Sequence, residues 1–269
     1  MPDKLSNLSP SAFIHPGDAR ALEHLKSTRG LDTTVRKFYE LGIERLMKVQ
    51  YTGSCLRLTD RNFPELIFLL EQSAEVLGLS RIPELYVHRS DRLEATTLGS
   101  DQPILVLSSE CIDKLSPSEL AFIIGREIGH ILCDHILYRE LGVIFPQLMD
   151  TLSSVTLGLS GLISASLRYA LFHWSRMSEY TADRAGLLAC QEEEVAFRVL
   201  AKQAGLPERR WETFHMTDLY DQARAFEGRM DKTMEQLSEF LFEHTNWSIA
   251  RAKELREWVA AGGYLDVIG

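Results

Sequence analysis

Residues 116–135 read Ser116-Pro117-Ser118-Glu119-Leu120-Ala121-Phe122-Ile123-Ile124-Gly125-Arg126-Glu127-Ile128-Gly129-His130-Ile131-Leu132-Cys133-Asp134-His135. The opening predicts a helix start on two counts. Ser116 can cap and Glu119 can reach back to it, while Pro117 suits the first helical position. Apolar residues at 120, 123, 124, 128, 131 and 132 then form a buried stripe at helical spacing. Arg126 and His130 lie four apart and share a helix face, with Glu127 directly after the first of them.

Working outward, residues 174–188 predict a second helix in which Glu179 and Asp183 also share a face, with Glu179 49 residues after His130. Upstream, residues 84–88 after Pro83 and 104–108 after Pro103 are β-branched or alternating and bounded by turn residues, which predicts short strands of a small sheet. Residues 66–79 have helical apolar spacing with Pro64 near the start, and residues 15–50 read as helices, with Asp18 able to cap one. After Ser116 nearly everything is helical, broken at 205–207 and 262–263. With no repeat, linker or low-complexity tract, the chain reads as one domain over 1–269: N-terminal helices 15–80, a motif core 81–190 and C-terminal helices 191–269.

The 269 residues suffice for a sizeable core, and 45% hydrophobic with 25% charged residues is ordinary for a soluble globular protein. A net charge of −9 argues against nucleic acid and against an anionic membrane surface as partners. Cys55, Cys111, Cys133 and Cys190 form no C-x-x-C pair and read as reduced thiols of a cytoplasmic protein. No secretory signal is visible before Gly17. The uncharged run 151–167 is rich in Ser, Thr and Gly and short for a spanning helix. It reads as part of a buried helical hairpin, with membrane contact as the minority reading.

A zinc peptidase places histidine at both helix positions around a general-base glutamate, H-E-x-x-H. Here the pattern is Arg126-Glu127-Ile128-Gly129-His130. Together with R-x-x-E-x-x-A-D-R-A-G-L over 176–187, this stretch resembles the gluzincin metallopeptidase family that includes the CAAX-prenyl endopeptidase and the heat-shock-induced membrane metallopeptidases. The resemblance spans roughly residues 83–251. It implies an α+β fold, a mostly helical body with a small β-sheet beside the motif helix. It implies that His130 and Glu179 match zinc ligands, that Glu127 matches the base that activates a water, and that Asp183 matches an acid orienting a histidine ligand.

The departures from the family pattern are specific. Arginine at 126 has five donors and no lone pair, and stays cationic, so zinc would lose a ligand and gain a positive neighbour. His130 and Glu179 alone fall short of the three protein ligands of a catalytic zinc site. Without metal, which brings bound water to a pKa of roughly 7, Glu127 is an idle base. Arg126 is therefore expected to take the metal's position with its own charge, pairing with Glu179, Asp183 or Glu127. The family also carries T-H-P six residues ahead of an arginine, and its histidine is thought to assist the oxyanion. Counting back from Arg251, Thr245 stands at the histidine position and Asn246 at the proline, while neighbouring His244 is rotated by about 100°. Glu94-Ala95 stands where the family tends to have Asn-Ala on the strand that pairs with substrate.

Three readings follow. The first is a pseudopeptidase with a binding or regulatory role, no bound cofactor and a peptide or protein partner. The second is an active zinc endopeptidase that works through an altered site, or an active family member carrying an inactivating change. A displaced site would draw on His130 with Asp134, Cys133 or His135, although His135 is expected to point to a different face from His130. The third is a structural protein that uses residues 151–167 or its C-terminal helices, 223–241 and 248–261, for an oligomer contact. The sequence sets neither the substrate nor the oligomeric state.

Overall fold

The computed structural model describes residues 2–5, 8–142, 165–229 and 247–269. Its helices are α1 (Pro16–Ser27), α2 (Leu31–Glu40), α3 (Ile43–Ser54), α4 (Pro64–Leu77), α5 (Ser109–Lys114), α6 (Pro117–Leu132), α7 (136–142), α8 (Ala165–Cys190), α9 (Glu193–Gln203), α10 (Met216–Glu227), α11 (Ser248–Ala260) and α12 (Gly263–Ile268). The strands are β1 (Leu56–Arg57), β2 (Glu84–His88), β3 (Ala95–Leu98) and β4 (Ile104–Ser108). The fold is α+β, mostly helical with a small sheet, in line with the expectation from sequence.

The sheet order is β1-β2-β4-β3, with β2 parallel to β4 and the two edge pairings antiparallel. Every residue of β4 is buried, as a central strand covered on both faces requires. Alternation along β4 divides the two faces. Leu105 and Leu107 join the main core with α4 and α6, while Ile104 and Val106 meet Met47 and Tyr51 from α3 and Cys55 just after it. The edge strand β3 lies beside α6, where the Thr97 hydroxyl donates to Glu127 Oε2 at 2.9 Å.

Local chemistry fixes the ends of the elements. The Ser116–Glu119 capping box forms in full, with Pro117 in the first turn of α6. α4 begins at Pro64 and stops at Gly78, whose φ of +74° suits a residue without Cβ. Asp18 is a correction: it does not cap α1. His15 does so, its ring accepting from Gly17 N–H, and Asp18 turns inward instead. α1 and α2 cover the early part of α8, where Leu25 and Phe38 share a cluster with Leu167, Leu171 and Trp174.

Residues 151–164 of the uncharged run lie outside the described residues, as do 230–241 of the helix expected over 223–241. No described helix is long and apolar enough to cross a membrane. All four cysteines carry free thiols.

Candidate functional site

α6 and α8 run antiparallel in close contact, because small residues line the seam between them. A Cβ on Gly129 would come within 2.5 Å of Ala185 Cβ, and one on Gly125 would strike Ala189. A Cβ on Gly186 would meet the Arg126 stem at 2.8 Å. This close approach lets side chains one position round each helix meet across the pair: Arg126, Glu127 and His130 from α6, with Glu179 and Asp183 from α8.

Arg126 is 5% exposed and fully engaged. One of its nitrogens, Nη2, pairs with Glu179 Oε2, and the other, Nη1, lies 3.1 Å from Asp183 Oδ1. Burial opposes its charge, but the carboxylates of Asp183, Glu179 and Glu127 outweigh that and hold the guanidinium protonated. Of the three partners expected from sequence, it takes Glu179 and Asp183. Glu127 is taken instead by Arg139 of α7, whose Nη1 lies 3.4 Å from Glu127 Oε2 and whose Nη2 lies 3.3 Å from Glu179 Oε1. Burial would raise the Glu179 carboxyl, yet the Arg126 and Arg139 charges hold it well below the usual carboxylate range.

His130 is completely buried, and its Nε2 lies 3.5 Å from Glu179 Oε1 without a hydrogen-bond partner. Burial, reinforced by the nearby Arg139 charge, lowers the imidazole to about 4, so it is neutral at physiological pH. Its other nitrogen, Nδ1, lies 3.0 Å from Nδ1 of His135, which corrects the expectation that the two rings face apart. α6 ends at Leu132, and Asp134 adopts a φ of +55°, a left-handed conformation that aspartate tolerates. The turn folds His135 back under the helix it has just left. His135 Nε2 then sits 3.2 Å from Asp18 Oδ2. The same carboxylate accepts from Trp174 Nε1 at 2.9 Å and from the Thr181 hydroxyl at 2.5 Å. A buried polar chain thus runs from Glu179 through His130 and His135 to the N-terminal helix.

Arg251 from α11 closes the floor of the site. It donates through Nε to Asp183 Oδ2 at 2.8 Å and through Nη2 to Oδ1, and its Nη1 reaches Gln203 Oε1 at 3.3 Å. Burial pushes the Asp183 carboxyl up to about 8, opposed by the Arg126 guanidinium beside it and reinforced by the Glu179 charge. Glu94, just before β3, accepts from the Ser90 hydroxyl at 2.7 Å. Thr245 lies outside the described residues. The structure therefore brings Arg126, Glu127, His130, Glu179, Asp183 and Arg251 together. It adds Arg139 and Thr97, which sequence reasoning missed, and sets His135 and Asp18, read there as a displaced-site candidate and a helix cap, behind His130. Among the described residues, no group of three His, Cys, Asp or Glu side chains is arranged to hold a metal ion.

Against this geometry the comparisons are specific. The model of peptidase family M48 matches residues 60–259. The chain is 28% identical, over 97% of its own length and 76% of the relative's, to the plastoglobule-localized metallopeptidase 48, chloroplastic, of Arabidopsis thaliana. No solved structure matches. Asp18 lies outside the family match, so the deep end of the polar chain comes from sequence beyond it. The helix pair, its glutamates and the matched span together make this chain a member of peptidase family M48.

Proposed function

We propose that this member of a zinc metallopeptidase family keeps the peptidase framework without peptidase chemistry and serves as a pseudopeptidase with a binding or regulatory role. The observation that carries the reading is Arg126. It occupies the first ligand position and spends its guanidinium on Glu179 and Asp183.

The donor set does not fit zinc. His130 Nε2 and Glu179 are two protein ligands where a catalytic site uses three, and both Glu179 oxygens face guanidiniums. A dication would enter beside two fixed positive charges. Glu127, held by Thr97 and Arg139, then serves as an acceptor in an ion-pair cluster and not as a base. The partner class that fits is a peptide or protein segment. The free thiols agree with a reducing compartment, for which we propose the cytoplasm, whereas the Arabidopsis relative carries a chloroplast plastoglobule designation.

One observation favours a second reading, an altered metal site: the buried, unpartnered Nε2 of His130 is the atom a metal would use. Metal analysis separates the two. The purified chain is expected to hold less than about 0.1 zinc and to leave unstructured peptide substrates uncut, with zinc content rising in Arg126→His. Near-stoichiometric zinc in the unmodified chain, with peptide cleavage that a chelator abolishes, would replace the first reading with the second.

A further inference from the structure

Arg126 accounts for only half of the cluster. Its partners, Glu179 Oε2 and Asp183 Oδ1, lie at the buried floor between α6 and α8. The upper half belongs to Arg139. Its guanidinium bridges Glu127 Oε2 at 3.4 Å and Glu179 Oε1 at 3.3 Å, and that same Oε1 lies 3.5 Å from the unpartnered His130 Nε2. Glu127, Glu179 and His130 are the groups that would face a metal and its water in an active family member. Arg139 pairs with both glutamates of that set, whereas Arg126 stands where a ligand would.

We infer that Arg139, a residue from beyond the motif helix, is the cation seated in the metal's place, so that two guanidiniums divide between them the double charge of the missing ion. The inference rests on the reading of the site as metal-free. Two observations beyond the distances support it. The positive-φ turn at Asp134 and the anchoring of His135 on Asp18 aim α7 back across the end of α6. The planar fork of arginine suits bridging two carboxylates, which lysine's single ammonium does not.

The consequence is that restoring the missing histidine alone leaves a competitor in the metal's seat. Zinc binding by Arg126→His and by the double variant Arg126→His/Arg139→Gln is measured by equilibrium dialysis against a chelator buffer. The double variant is expected to bind about tenfold or more tightly than the single one, since a unit charge a few ångströms from a dication opposes it strongly in a partly buried site. A smaller difference, including no binding by either, overturns the assignment. Should both variants fail to fold, Arg139→Gln in the unmodified chain decides. The expected result is a melting temperature several degrees lower with a weaker dependence on salt, and an unchanged melting curve overturns the assignment. Stoichiometric zinc in the unmodified chain would sink the metal-free reading itself, whatever the variants do.

Discussion

α6 and α8 meet along two adjacent strips that obey different rules. One is the seam of Gly125 and Gly129 on α6 against Ala185, Gly186 and Ala189 on α8, where the backbones approach closely. The other, one residue round each helix, is an ionic cluster of Arg126, Arg139 and Arg251 against Glu127, Glu179 and Asp183. The seam carries the geometry of a peptidase framework and tolerates nothing larger. The cluster needs charges that balance, and a guanidinium can meet that requirement as a metal does. A fold of this kind can therefore lose a ligand without losing its helix pair, provided a cation returns to the same place. Gly186 joins the two strips, because the space it leaves is where the Arg126 stem lies.

The largest effect is expected in the seam. Gly125→Val would drive a branched side chain against Ala189 and the α8 backbone, which approaches the Cβ position to 3.1 Å at Gly186 Cα. Overpacking usually costs about 1–3 kcal/mol, and a clash with backbone exceeds that. The expectation is roughly 4 kcal/mol or more, read as insoluble expression or a collapsed denaturation midpoint. A soluble variant of near-normal midpoint would show that the helices can spread, and the division between the strips would not hold.

The cluster should give way less. Arg126→Met keeps an apolar stem over Gly186 and removes the charge, leaving Glu179 with Arg139 and Asp183 with Arg251. Removing one partner of a buried pair costs roughly 3–5 kcal/mol. Each carboxylate keeps a second cation here, so about 3 kcal/mol is expected by urea denaturation at pH 7. Unchanged stability would mean that Arg139 and Arg251 suffice and that Arg126 was retained for something other than balance.

The two strips were not equally legible in the sequence. The capping box, the helix periodicity and the proline-bounded strands at 84–88 and 104–108 are local signals, and the structure carries all of them. Glycine at 125 and 129 and the shared faces of 126 with 130 and 179 with 183 follow from helix geometry alone. The positions of Arg139 and His135 were not readable for one physical reason. The helical period stops at Leu132, and a single left-handed residue, Asp134, sets where the next segment points. Thr97 and the two-residue β1 depend on pairing across long separations that no local pattern encodes.

Glu140 sharpens the comparison because it is a buried carboxylate with no cation paired to it among the described residues. It is 2% exposed, accepts from Gly99 N–H at 2.8 Å through Oε1, and leaves Oε2 without a partner. Burial pushes its carboxyl up from 4.5 to about 7, opposed by the Gly99 hydrogen bond and reinforced by the charge of Glu44. The folded value lies above the unfolded one. The associated stability is therefore fully present below about pH 4.5 and lost as pH rises through 7. Glu140→Gln retains the acceptor and cannot ionise. It should be more stable than the parent by about 3 kcal/mol at pH 8, and the gain should vanish near pH 4.5. Glu179, less deeply buried and flanked by two guanidiniums, has the opposite sign: its contribution is present at neutral pH and lost on acidification. Parallel denaturation series at pH 5 and pH 8 for Glu140→Gln and its parent test the contrast. A gain that does not change with pH would mean that Glu140 is not the uncompensated acid its surroundings imply, and that burial alone does not separate it from the arginine-held cluster.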